Sequence, residues 1–469
     1  MKRQAQRGLD FSGSHLTITN EYYAKYRAIS SVLDNSPEIV DLVHRDLSQQ
    51  LDRVNSKRDG GGRRHQFSSD NVLRILLCQV IEGESLRGIV VRIDDSHFLR
   101  RFAGIDNAPM MDFTTLCKLR NAIRPKTWHT VNRRLAETAL ATELIEGARL
   151  RVDTTAVETN IHWPTDSSLL WDVYRVLARL IVKLRGIDPE LVGPRRLQTR
   201  QAKRLQQRIA RRAARKGHDR DRLKLQYSEL IRLVEALVGW TSELRVAIER
   251  GERARPGDAL DPVKLEAIGS QMDRYVSLGR RVVDPARRRV LQGESVPNAE
   301  KLFSIFEEHT ELLQRGKAGK EIEFGHMIQI EQVDGKFITG YEVYDSKPIE
   351  YKQPDAALAR HVELFGEHPE ELAADKGYYE STDALTDLRT KVRTVGIAKK
   401  GRRTEEETAI EHDPLFRHAQ RFRAGIEGTI SFLKRILRLG RCFNKGWKHF
   451  VTTVAQTVFA HNLLILARC

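Results

Sequence analysis

Three carboxylates stand where divalent-metal chemistry could use them. Asp153 follows the apolar run ARLRV, Asp375 follows ELAA, and Glu427 lies in a late helical stretch. Arg423, four residues before Glu427, and Lys434, seven after it, share its helical stripe. Hydrolysis or transfer of a phosphodiester needs divalent cations roughly 3.5 to 4 Å apart, held by hard oxygen ligands. The neighbouring Arg and Lys would hold the polyanion. Singly, each acid has a plainer reading: a strand-end acid, a solvated turn acid before Lys376-Gly377, and a surface pair worth about a few tenths of a kcal/mol. Jointly they favour the metal site. Ile426, Ile430, Leu433 and Leu437 form an adjoining apolar stripe that would anchor the helix and leave Gln420, Arg423, Glu427 and Lys434 along its edge.

The chain as a whole suits a polyanionic partner. Its 469 residues allow two or three domains, and a net charge of +16 with a pI near 9.7 favours DNA, RNA or an anionic surface without choosing among them. Cys78, Cys117, Cys442 and Cys469 are scattered, which argues against structural zinc and a disulfide framework. The amino-terminal MKRQAQRGLDFSGSHL lacks a secretory apolar run. Phe450 to Leu466 is interrupted by Thr452, Thr453, Gln456, Thr457, His461 and Asn462, so it reads as a buried amphipathic helix, not a membrane span. A cytoplasmic location, associated with the nucleoid when bound to DNA, and no membrane partner are the expectations.

The elements that must position the acids fall into five stretches. Residues 1–66 read as polar, then helical (IVDLVHRDLSQQLDRV), ending in a breaker run at Gly60, Gly61 and Gly62. Residues 67–146 carry helical periodicity with starts at Ser68 to Asp70 and Asp112 to Thr115, a compact helical DNA-binding domain. A short strand, ARLRVDTTAV, lies in 147–165, with Asp153 at the end of its apolar run. Residues 166–320 read as an almost wholly helical, basic insertion, with Leu169, Leu170, Val173, Val176, Leu177, Leu180, Ile181 and Leu184 on one face of its first helix. Between Arg195 and Lys224 thirteen Lys or Arg face two acids, and Arg200, Arg204, Arg208, Arg211, Arg212 and Arg215 form a stripe that suits DNA contact or a solvated surface. In 321–469 the period turns to two: a hairpin around Asp334-Gly335, a helix, the strand to Asp375, a helix, the strand VRTVGIAK and the helix of Glu427. Without the insertion this is a mixed α/β sheet.

This order, with acids at the ends of the first and fourth strands and on the last helix, resembles the RNase H-like core of DDE transposases and retroviral integrases. Within that group the chain resembles bacterial insertion-sequence transposases of the superfamily of families four and five, whose third acid lies in a Tyr-x2-Arg-x3-Glu-x6-Lys motif. Arg423, Glu427 and Lys434 match its spacing, while the tyrosine position holds Gln420. VDTTAVETNIHWPTDSSLL, KLFSIFEEHTELLQRGKAGKEIEFGH and LAADKGYY carry the likeness from about residue 68 onward. The resemblance implies an RNase H-like mixed sheet with a large helical insertion after the first strand and an amino-terminal all-helical domain. It implies that Asp153, Asp375 and Glu427 are catalytic and hold two Mg²⁺, with Mn²⁺ able to substitute. Gln420, Arg423, Lys434, Arg204, Arg208 and Arg211 would contact double-stranded DNA, at transposon ends and target, in the synaptic complex of a homodimer. The reaction would be cleavage at terminal inverted repeats and transfer of the 3′ ends. A metal-dependent nuclease on the same fold and a non-catalytic DNA-binding relic remain alternatives.

Other residues carry less. Trp163 and Trp240 could stack on an unpaired base, with core packing the favoured reading for both. His326 and His361 lack metal-ligand spacing, and Thr154 and Thr155 would shape the strand end. Lys399, Lys400, Arg402 and Arg403 form a basic loop suited equally to DNA or to solubility. Gly60 to Gly62 lack the context of a phosphate-binding loop.

Overall fold

A computed structural model describes residues 16–56, 67–214, 219–250, 262–317 and 320–468; Gly60 to Gly62, Arg215 and Cys469 lie outside the described residues. The chain divides into two compact units, Met1–Glu158 with His326–Cys469, and Thr159–Gly325. Among the described residues unit 1 opens with seven helices: α1 (Thr17–Asp34), α2 (Pro37–Ser56), α3 (Ser69–Ile81), α4 (Leu86–Asp95), α5 (His97–Phe102), α6 (Phe113–Ala122) and α7 (Pro125–Ala141). Strand β1 (Arg149–Thr159) follows. Unit 2 holds α8 (Asp166–Ile187), α9 (Pro189–Val192), α10 (Thr199–Ala213), α11 (Arg220–Glu249), α12 (Pro262–Arg287) and β2 (Glu311–Lys317). After β3 (Lys320–Gln332) come β4 (Ile338–Val343), α13 (Gln353–Phe365), β5 (Glu371–Ala374), α14 (Thr382–Lys391), β6 (Thr394–Gly396), α15 (Glu405–His412), α16 (Pro414–Arg435), β7 (Arg441–Cys442) and α17 (Trp447–Leu466). The fold is mixed α/β, with seven strands in the order β2-β3-β1-β5-β6, β4 pairing β3 and β7 pairing β1, and an amino-terminal helical region.

Local chemistry explains the boundaries that matter. Ser68 caps α3 reciprocally with Asn71, and Thr165 caps α8 with Ser168, each satisfying amide protons that the first helical turn leaves unbonded. The hairpin turns at Gly335, whose φ of +69° suits a residue without a Cβ. Buried Arg74 ties α3 to α1, donating from Nε to Asp70 at 2.8 Å and through its terminal nitrogens to Ser30 and Asp34 at 2.6 and 2.5 Å. In unit 1, α17 is the core helix: Val454, Phe459, Ala460 and Leu463 are fully buried, and the Asn462 amide bonds both backbone groups of Ile338 in β4. By length and composition α17 could cross a membrane, but 78% of its most apolar 18 residues are buried inside the protein, as expected of a core helix.

Four sequence expectations need correction. Asp153 does not end its strand, since β1 runs on to Thr159; what ends there is the parallel pairing with β5, whose last partners are Val152 and Ala374. The stretch read as polar before residue 37 contains α1, buried at Tyr26, Ile29 and Leu33. The insertion read as helical to residue 320 ends in strand β2, which pairs antiparallel with the first residues of β3, so Asp375 follows the fifth strand and not the fourth. An additional helix, α15, precedes the helix of Glu427; none of its residues is buried, and a Thr404–Glu407 capping box with three acids in the first turn stabilises it locally.

His361 and His461 lie buried in unit 1, and burial pushes both imidazoles down to about 4. The unfolded chain, with values near 6.5, binds more protons than the folded one below that pH. Their contribution is therefore complete above pH 6.5 and is lost as the pH falls toward 4. Urea unfolding should show about 2 kcal/mol less stability per histidine at pH 5 than at pH 7.5. The double variant His361→Gln, His461→Gln should lose most of that dependence; an unchanged slope would reject the assignment.

Candidate active site

Unit 1 places Asp153 and Asp375 side by side. β1 and β5 run parallel in register from Arg149 opposite Glu371 to Val152 opposite Ala374, so the residue that follows the last pair on each side is one of the acids. Each carboxylate is oriented by its own backbone: Asp153 Oδ1 accepts from the Thr154 amide at 2.7 Å, and Asp375 Oδ1 from the Gly377 amide at 2.6 Å. The latter contact opens the 3-10 turn Lys376–Tyr378. Buried Tyr378 has its phenol held well above the ordinary range, first by burial and then by the charges of Asp153, Glu350, Tyr344 and Asp375.

Helix α16 is strapped to the same sheet by arginines of β1. Arg151 is buried and pairs with no carboxylate among the described residues; its Nε donates to Gln332 Oε1 of β3 at 2.9 Å and a terminal nitrogen to the Phe422 carbonyl at 2.6 Å. Burial lowers it to about 10, so it remains a cation at neutral pH. Arg149 and Arg151 both lie over the Phe422 ring at 4.6 Å. Gly425 completes the approach, because a Cβ there would collide with the Arg151 guanidinium. Farther along, Thr429 bonds Gln332, while at the other end the Gln420 amide donates to the carbonyls of Ala374 and Gly396. The helix thus crosses from β6 and β5 over β1 to β3. Side chains alternate along a strand, so Asp153 shares the face of Arg151 that α16 covers.

Glu427 and Arg423 form an exposed i,i+4 pair at 3.2 Å, with the Glu427 side chain 66% exposed and the Arg423 Nε buried without a partner. Lys434 lies half-buried farther along α16. Gln420, read as a DNA contact, spends its amide on the ends of β5 and β6. Among the described residues no three His, Cys, Asp or Glu side chains form a metal-holding group. The donor chemistry still suits a hard divalent cation, since Asp153 and Asp375 offer adjacent carboxylates and no thiolate or imidazole is among them.

Sequence reasoning missed Glu350 beside this pair and named Lys400 only as part of a basic loop. Glu350, in the 3-10 turn Glu350–Lys352 ahead of α13, accepts from the Thr154 hydroxyl at 2.8 Å. Lys400 donates to the Gly377 carbonyl at 2.9 Å, while its neighbours Lys399 and Arg403 are occupied by Glu407 and Glu411 of α15. The irregular PIEYK run around Glu350 has no periodicity to single it out. His326 is buried against Trp447 and Phe450, and His361 against Phe365.

In unit 2, α10 buries Ala202, Leu205 and Ile209 and exposes Arg200, Arg204, Arg208 and Arg211. A cleft of about 630 Å³ runs along it, lined by Arg200, Arg204, Arg208, Gln201 and Glu229 among others. Trp240 is buried, with Arg195 over its ring at 4.9 Å. Trp163 departs from the core-packing expectation: it is 63% exposed, with one edge against Phe324.

The contact between Gly425 and Arg151 gives a sharp test of how α16 is held. Gly425→Ala should destabilise the protein by about 1–3 kcal/mol, because the pinned guanidinium cannot yield freely. In an Arg151→Met background the same change should instead stabilise by up to about 1 kcal/mol through helix propensity. A denaturation double-mutant cycle reads the coupling, and additive effects would mean the helix is not held there.

No curated protein and no solved structure gives a significant match to this chain. A family model does: residues 24–122, from within α1 to the end of α6, are similar to the family described as Transposase domain (DUF772), which supports a transposase function.

Proposed function

We propose that the chain is a DDE transposase that cuts DNA at the terminal inverted repeats of an insertion sequence and transfers the 3′ ends to target DNA. The observation that carries this reading is the adjacency of Asp153 and Asp375 at the point where β1 and β5 stop pairing, under the helix that bears Glu427. The transposase-domain match supplies independent support.

Asp153, Asp375 and Glu427 would hold two Mg²⁺ or Mn²⁺ ions, which supply activation of water or a 3′-hydroxyl and charge neutralisation at the leaving oxygen. The chain's own residues account for the rest. The backbone amides of Thr154 and Gly377 fix the two aspartates, so their geometry costs little reorganisation on binding. Arg423, through the terminal nitrogen it now shares with Glu427, and Lys434 would grip phosphates beside the scissile bond, supplying position and not sequence. Arg204, Arg208 and Arg211 of α10 would track the backbone of a DNA end. The helices within 67–146 are proposed to recognise the ends, and joining two ends in one event calls for a homodimer.

The test is a Mg²⁺-dependent cleavage and strand-transfer assay on DNA carrying the repeats that flank the gene. Asp153→Asn, Asp375→Asn and Glu427→Gln should each reduce both reactions by at least a thousandfold while binding the ends as the wild type does. Cleavage without joining by the wild type would identify a nuclease. Binding without reaction by every protein, wild type included, would identify a DNA-binding relic.

The basic face of α10 can be checked separately. Changing Arg204, Arg208 and Arg211 together to Gln should weaken DNA binding at all sequences alike and make the slope of log K against log salt about 2–3 units shallower. An unaltered slope would leave α10 as a solvated surface helix.

A further inference from the structure

Glu350 belongs to neither the three acids nor any recognised motif, yet both its oxygens point between the segments that follow Asp153 and Asp375. Oε1 accepts the Thr154 hydroxyl at 2.8 Å. Oε2 and Asp375 Oδ1 converge on Gly377, where an added Cβ would collide with Oε2 and lie 2.7 Å from Oδ1. Glycine is thus required at 377 for the two carboxylates to approach. Among the described residues neither Glu350 nor Asp375 has a Lys, Arg or His ion-pair partner, although Lys399 and Arg403, beside Lys400 in sequence, pair with Glu407 and Glu411. Two half-buried carboxylates that converge on one glycine present hard oxygens to a divalent cation, while the Lys400 ammonium is taken up by the Gly377 carbonyl.

We propose that Glu350 is a fourth carboxylate of the site, donating an oxygen to the same divalent cation as Asp375. This rests on the metal-dependent reading above. Thr154 orients Glu350 through its hydroxyl and Asp153 through its amide, so one residue couples the two carboxylates. The 3-10 turn Glu350–Lys352 leads directly into α13, which anchors Glu350 through buried Ala357, Leu358 and Leu364. The ligand therefore stands on a packed element and not on a free loop.

The experiment measures Mn²⁺ affinity by electron paramagnetic resonance, with and without a DNA duplex carrying the flanking repeats, for the full chain and for Glu350→Gln, Thr154→Val and Asp375→Asn. Thermal unfolding follows in parallel, and cleavage gives the Mg²⁺ concentration for half-maximal rate. Glu350→Gln keeps the shape and the acceptor for Thr154 but removes the charge. It should weaken Mn²⁺ binding ten- to a hundredfold and raise the half-maximal Mg²⁺ correspondingly, with the melting temperature and DNA binding unchanged. Thr154→Val, which keeps the carboxylate, should lose less than tenfold. If Glu350→Gln binds Mn²⁺ like the wild type while Asp375→Asn does not, Glu350 is no ligand and the three-acid reading stands. If the wild type itself binds no Mn²⁺ in either condition, both readings fall together.

Discussion

The geometry of the candidate site depends on one buried cation. Arg151 carries its charge into the interior of unit 1 without a carboxylate to meet it, relying on an amide oxygen of β3, a helix carbonyl and an aromatic ring. Such a group is expensive to desolvate, and its lowered pKa records that cost. Its geometric effect is to make three elements share one set of donors. β1, β3 and α16 cannot slide independently, because movement of any one strands the guanidinium. The face of β1 that carries Asp153 is thereby fixed under the helix that carries Glu427.

Much of this was legible in the sequence, for reasons that can be stated residue by residue. Asp375 could be found because the short apolar run Leu372 to Ala374 is wholly buried and the acid marks its exit. The Asp334-Gly335 turn and the leucine face of α8 announce themselves by period. Asp153 was placed at the end of its strand because Asp153, Thr154 and Thr155 interrupt the apolar pattern, whereas their backbone stays extended through the strand's other neighbours. α1 buries only Tyr26, Ile29 and Leu33, too sparse a stripe to stand out from the polar residues around it. Glu350 could not be found at all. Its importance comes from tertiary proximity to Thr154 and Gly377, which no local spacing encodes.

The two kinds of charge are handled differently. The arginines of α10 lie on an exposed face over a strip of small and branched apolar residues, available to a polyanion and cheap to solvate. Those of β1 are committed to the protein itself, and Arg423 is divided between an exposed pair with Glu427 and a buried nitrogen. A net charge of +16 therefore overstates what DNA could meet. Position, not count, distinguishes a binding cation from a structural one.

Unit 1 is also interrupted along the chain. β1 leaves it at Glu158 and the chain returns at His326, on the strand that neighbours β1 in the sheet. On the ribosome, β1 emerges with its central partner still unmade, and the whole of unit 2 must be synthesised first, a delay of roughly ten to thirty seconds at ordinary elongation rates. Throughout that interval β1 presents an unpaired edge, the kind of surface that templates wrong pairings. Charged Arg149, Arg151, Asp153 and Glu158, interspersed with Leu150, Val152, Ala156 and Val157, would make that waiting edge soluble before they take up their places in the finished sheet.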